Sequence, residues 1–262
     1  MVPAVIAVLF TACLSGITVT GALQDRRWMV GLALVTTPAL VTQAATEQAD
    51  VPLAAFVAAA TAILLVRKRG DLRALAAAGA FASMAAWTKN EGLLHLLLLG
   101  TAAALDERRL KAALAFMIGA LPFLLLLTMF KTQFAPRNDL LQVPVVAALQ
   151  RLLMPERWLT LAVLLGRRVV LLQAWGLHLL ALVAWVVFGR NRSALPAGAR
   201  WLSWIPVVTV AIHLGILLAQ PHDLTFMFKV TIDRLLLQLW PAILLVVSWR
   251  RTKVHSADGQ LA

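Results

Sequence analysis

Between Lys111 and Lys131 the chain reads AALAFMIGALPFLLLLTMF, nineteen residues without a charge. A helix of that length rises ~28 Å, close to the ~30 Å thickness of a bilayer's hydrocarbon core. It has no polar face to offer water. Similar runs recur along all 262 residues, which are 61% hydrophobic and only 14% charged, so the chain reads as a polytopic membrane protein. The runs are continuous rather than alternating, which excludes a membrane β-barrel. At ~20 residues per span the apolar length suffices for about nine. Polar breaks place them at 2–23, 28–44, 51–66, 73–88, 92–105, 110–130, 170–188, 201–219 and 235–249. The expected fold class is therefore all-α: a transmembrane helix bundle of about nine spans, forming one membrane domain over residues 1–262.

The formal net charge of +12 would suggest nucleic acid in a soluble protein, but here sidedness accounts for it. Five breaks (QDRR at 24–27, RKRGDLR at 67–73, DERRLK at 106–111, the stretch from Arg190 to Arg200, and the tail from Arg250) carry fifteen Lys and Arg against five acids. The other face carries nine against seven. The positive-inside rule makes the first face cytoplasmic, with +10 of the +12 on it. No nucleic-acid partner is needed. The C-terminus, a tail over 250–262, is then cytoplasmic. The single cysteine, Cys13, lies within the first apolar run and reads as packing. That run lacks a basic flank and is expected to be a retained span rather than a signal peptide. Met1 falls on the outer side, which predicts that an N-terminal portion precedes it in the parent protein.

The remaining polar groups collect on the outer face. They include an outer loop over 131–169, whose portion from Val143 to Met154 has an apolar face with Gln150 and Arg151 opposite, the pattern of an interfacial helix. The run WLTLAVLLG at 158–166 is too short to span, which sets Arg167 and Arg168 at the outer headgroup level. A single tilted helix over 158–188 is the alternative. Trp28, Trp87, Trp158, Trp201 and Trp249 fall near span ends, where indole rings anchor at the interface.

Three outer-face groups carry candidate chemistry. Glu47 and Asp50 share one helical face. Asp50 has the position of a helix cap, while the pair has the make-up to hold a divalent cation or polarise an acceptor hydroxyl. In the hairpin AAWTKNEGLL, Lys89 and Glu91 form either a local ion pair or a cation facing a lipid phosphate. In AQPHDLTFMFKVTIDR, a loop before the last span, Arg234 either snorkels to headgroups or clamps a phosphate with its fork. His95, His178 and His213 read as packing or helix contacts.

The stretches QADVPLAAFVAAATAILL, AAWTKNEGLLHLLLL and DRLLLQLWPAILL, in that order, resemble the bacterial branch of the GT-C membrane glycosyltransferases. This superfamily includes protein mannosyltransferases and the aminoarabinose transferase of lipid A. The resemblance covers residues 30 to 250 and rests most on the ADVPL and TKNEG motifs. It implies transfer of a sugar from a polyprenyl-phosphate-linked donor to an acceptor outside the cytoplasmic membrane of a bacterium. Asp50, with Glu47 beside it, then takes the catalytic acid's place. Lys89, Glu91 and Arg234, joined by Arg167 and Arg168, take the lipid phosphate and donor, and a divalent cation is an optional cofactor. The family's principal catalytic acid lies in a first large outer loop, which this chain lacks before Thr46. A truncated or non-catalytic GT-C-fold protein is therefore one alternative, and a lipid or solute transporter the other.

Overall fold

A computed structural model describes residues 33–34, 36–45, 49–107, 109–134, 144–171, 175 and 197–258. All regular structure among them is helical. In chain order the helices are α1 (Pro38–Ala45), α2 (Asp50–Val66), α3 (Leu72–Thr88), α4 (Glu91–Glu107), α5 (Leu110–Gln133), α6 (Val145–Leu152), α7 (Pro155–Leu171), α8 (Ala197–Ala219) and α9 (Leu224–Asp258). The all-helical class holds. The expected spans at 51–66, 73–88, 92–105, 110–130 and 201–219 correspond to α2, α3, α4, α5 and α8. Those at 2–23 and 170–188 fall largely outside the described residues, while that at 28–44 is described at 33–34 and 36–44 and contains most of α1.

Among the described residues two helices are long and apolar enough to cross a membrane: Leu110–Gln133 and Arg200–Ala219. Most of each is left uncovered by the rest of the protein, unlike the core helix of a soluble fold. Along α5, Leu114, Ile118, Leu121, Leu125 and Met129 all point outward. Helices α2, α3 and α4 have seventeen residues each, ~26 Å, and are shorter than a full crossing. In α2 the apolar character has a different cause, because twelve of its residues are buried among α3, α4, α8, α9 and α1. It is the core helix of the bundle.

Helices α3 and α5 pack backbone against backbone. A Cβ placed on Gly79 would stand 1.9 Å from the Phe116 carbonyl oxygen, and one on Gly119 would stand 1.8 Å from that of Ala76. Only hydrogen fits at either point, which is the small-residue packing of membrane helices. Ala78, Ala82, Ala115, Phe116 and Ala120 fill the seam.

At one end of the bundle the breaks 67–73 and 106–111 meet. The Arg67 guanidinium bonds both Asp106 and Glu107, and Arg69 donates to the Asp106 carbonyl at 2.9 Å. Gly70 turns the chain with φ +80, a conformation that favours glycine, and its amide donates to Glu107 Oε1 at 3.0 Å. Burial pushes the Glu107 carboxyl up, but the Gly70 amide and Arg67 outweigh it, so its pKa lies below the ordinary 4.5.

One expectation is corrected. The segment ahead of the last span is no loop: α9 starts at Leu224 and runs thirty-five residues to Asp258, ~52 Å. Asp223 accepts from the Phe226 amide at 2.7 Å and starts the helix. The helix also continues through the stretch expected to be tail. The run WLTLAVLLG lies inside the seventeen-residue α7, with Arg167 and Arg168 in its last turns, and most of 172–188 lies outside the described residues. Within the expected outer loop, α6 is exposed along Val145, Val146 and Leu149, as is Leu153 just after it.

Two outcomes test this packing. Replacing Gly79 or Gly119 by Ala should cost ~1–3 kcal/mol or more in unfolding from detergent micelles, whereas Gly166→Ala, which meets nothing within 4 Å, should raise stability slightly through helix propensity. A lowered folded pKa at Glu107 gives stability that is present above pH ~4.5 and lost as pH falls below it. Glu107→Gln should therefore melt lower than the unmodified protein at pH 7, with the gap closing on acidification to pH 3.

Candidate functional site

The site is organised by Asp50, the first residue of α2, whose side chain is fully buried. Ala49 occupies the cap position, and the Asp50 carboxylate bonds no backbone amide at this helix start. The expected capping role is therefore not the one it plays. Its carboxylate accepts three side-chain hydrogen bonds instead. Lys89 Nζ and Gln238 Nε2 reach Oδ1 at 2.7 and 2.6 Å, and Arg234 Nε reaches Oδ2 at 2.8 Å. Residues separated by up to 188 positions are thereby joined at one carboxylate.

Local sequence explains how each partner arrives. Lys89 ends α3 in an extended conformation and begins the two-residue turn into α4, where its carbonyl accepts from the Gly92 amide. Glu91 opens α4 and pairs with Lys89 at 3.2 Å. Between them, Asn90 accepts from Lys131 Nζ, at the far end of α5, at 2.5 Å. Arg234 and Gln238 are four apart on α9 and so share a face. Leu235, Leu237 and Leu239 around them are buried, and this sets the azimuth of α9.

Asp50 and Glu91 balance Lys89 and Arg234, so the four charges sum to zero. Arg234 is the least covered of them, at 38% side-chain exposure. Only its Nε is engaged, which leaves both Nη groups without a partner among the described residues. Arg234 borders a pocket of about 50 Å³ lined also by Lys89, Glu91, His213, Thr231 and Gln238, with Leu235 completing the wall. That volume is enough for a small polar group.

Of the sequence candidates, Asp50, Lys89, Glu91 and Arg234 therefore converge. Glu47 lies outside the described residues. Arg168 bonds Asp233, which also accepts from the Trp175 indole at 3.1 Å, and Arg167 is exposed; neither lines the pocket. Among the described residues no group of His, Asp and Glu side chains is placed to hold a metal ion.

Sequence reasoning missed Gln238 and His213. Gln238 is buried and bonds the central carboxylate. His213 lines the pocket, and its Nδ1 lies 2.8 Å from the Thr209 carbonyl. The available signal was periodicity: Gln238 is one turn beyond Arg234, on the same stripe. His95 faces Gln238 from α4 and is wholly buried with neither ring nitrogen in hydrogen-bond geometry. Two arginines do other work, since Arg151 donates to the Ala219 carbonyl and Arg157 to those of Leu217 and Gln220. They satisfy the open carbonyls at the end of α8 and so fasten α6 and α7 to it.

Removing one partner of a buried charge cluster leaves the others uncompensated. Asp50→Asn should destabilise the protein by ~3–5 kcal/mol in detergent, because Lys89 and Arg234 then face each other. Glu91→Gln, at the half-exposed rim, should cost under ~1 kcal/mol. Comparisons with protein-family models, with curated proteins and with solved structures give no match.

Proposed function

We propose that this chain is a multi-pass glycosyltransferase-like protein of the bacterial inner membrane. It engages a polyprenyl-phosphate-linked sugar donor on the outer face and passes the sugar to an acceptor there. In this reading the helices named above, with the apolar stretches outside the described residues, make up the bundle of about nine spans, and the rim with Arg67, Asp106 and Glu107 faces the cytoplasm. The observation that carries the reading is the half-anchored arginine: Arg234 is fixed through Nε and keeps a bidentate fork beside the Lys89 ammonium. A planar fork next to a point charge suits a phosphate. Such a transfer needs cations at the departing phosphate, where negative charge accumulates.

Asp50 has a positioning role here. Both of its oxygens are occupied and it is closed to solvent, so it holds Lys89 and Arg234 at a fixed separation. Glu91 steadies Lys89 from the other side. The pocket takes the phosphate, with the sugar at its open mouth, while the polyprenyl chain lies outside along the exposed apolar surfaces. Arg167, exposed on α7 and without a partner among the described residues, adds positive charge for membrane lipid headgroups. The transporter reading expects charges distributed along a route through the bilayer, whereas the charged side chains here gather at the rims.

Added polyprenyl phosphate should raise the melting temperature of the purified chain in detergent. Lys89→Ala and Arg234→Ala should each lower the affinity roughly tenfold or more, in line with ~1.5–3 kcal/mol for a charge-assisted hydrogen bond. Both should weaken the salt dependence of the shift. An unchanged shift in either variant would remove the phosphate role. Uncharged polyprenol serves as the control and should give no shift.

A further inference from the structure

The geometry points to His213 as the general base of the transfer, the group that takes the proton from the attacking hydroxyl. This rests on the lipid-phosphate reading of the Lys89 and Arg234 pocket. The Thr209 carbonyl can only accept, so the ring nitrogen 2.8 Å from it carries the proton. In the neutral ring Nε2 is then the lone-pair nitrogen, and it has no partner among the described residues. His213 lines the same pocket as Lys89 and Arg234, and its backbone bond fixes the tautomer and ring orientation. It stands on α8 within reach of His95 on α4, and of Lys89, Glu91, Arg234 and Gln238 around the pocket.

The carboxylates are less suited. Asp50 is buried and holds three donors. Glu91 is the counter-charge of Lys89, and protonating it would loosen the cation needed at the leaving phosphate. His213 has neither commitment. The pocket opens toward the surface, so an acceptor's hydroxyl or a water molecule reaches His213 from outside while the phosphate is held at Lys89 and Arg234.

In the step, the hydroxyl proton passes to Nε2 while the hydroxyl oxygen forms its bond to the anomeric carbon. The bond from that carbon to the phosphate oxygen breaks, and the electron pair leaves with the phosphate between Lys89 and Arg234. His213 ends as imidazolium beside the phosphate and returns its proton to the leaving group or to water. With water as acceptor, the donor is hydrolysed to free sugar and polyprenyl phosphate.

The test uses the full chain in detergent with a polyprenyl-phosphate-linked hexose, reading released sugar. His213→Gln should lower kcat about 100-fold or more, the usual worth of a general base, with the donor KM and the polyprenyl phosphate melting shift retained. Added imidazole should restore part of the rate to His213→Ala. A kcat within tenfold of the unmodified chain, or a loss confined to KM, overturns the assignment and leaves the phosphate reading standing. The same holds if Glu91→Gln alone abolishes kcat. No release by the unmodified chain overturns both.

Diethylpyrocarbonate mapping, which needs no variant to fold, supplies a second readout. It should carbethoxylate His213 in the unmodified chain, with protection by polyprenyl phosphate, and spare His95. An unreactive His213 overturns the proposal. If His213 reacts but polyprenyl phosphate gives neither protection nor a melting shift, the phosphate reading fails and the proposal goes with it.

Discussion

A buried carboxylate must be compensated, and the way Asp50 is compensated organises the bundle. Its charge lies at the amino end of the central helix, where free amides already favour an anion. That alone does not offset the loss of hydration. Lys89, Arg234 and Gln238 complete the compensation, and in doing so they bring the α3–α4 turn and the middle of α9 to the start of α2. Burial and site geometry thus have one cause. The core is closed where the charges are matched, and the groups that match them are left facing a pocket.

Much of this was legible in the residues. Long apolar runs with basic breaks announced helices, and α2, α3, α4, α5 and α8 lie where those breaks put them. Asp50, Lys89, Glu91 and Arg234 stood out because charge is rare in such a sequence. What could not be read was orientation about the helix axis. Gln238 and His213 are polar residues inside apolar stretches, and only the three-dimensional packing shows which of them turns toward a neighbour's charge and which toward the core, as His95 does.

The errors have one physical origin as well. Composition cannot tell a helix that is apolar because it faces lipid from one that is apolar because it is surrounded. Helix α2 is of the second kind, with most of its circumference buried, while α5 turns a row of large apolar side chains outward. The stretch before the last span contains Lys229, Asp233 and Arg234, which looked like loop polarity. Each charge has a partner or a pocket from within a continuous helix, except Lys229, which lies on the exposed side.

The neighbouring pair Asp233 and Arg234 has a mechanical consequence. Successive residues on a helix point ~100° apart, and here one is tied to Arg168 on α7 while the other is tied to Asp50 on α2. Turning α9 about its own axis in either direction carries one of the two away from its partner. The helix is keyed in azimuth at a single level, as a shaft is by two pins set at an angle. Any motion that opens the pocket must then pivot α9 about that level rather than roll it.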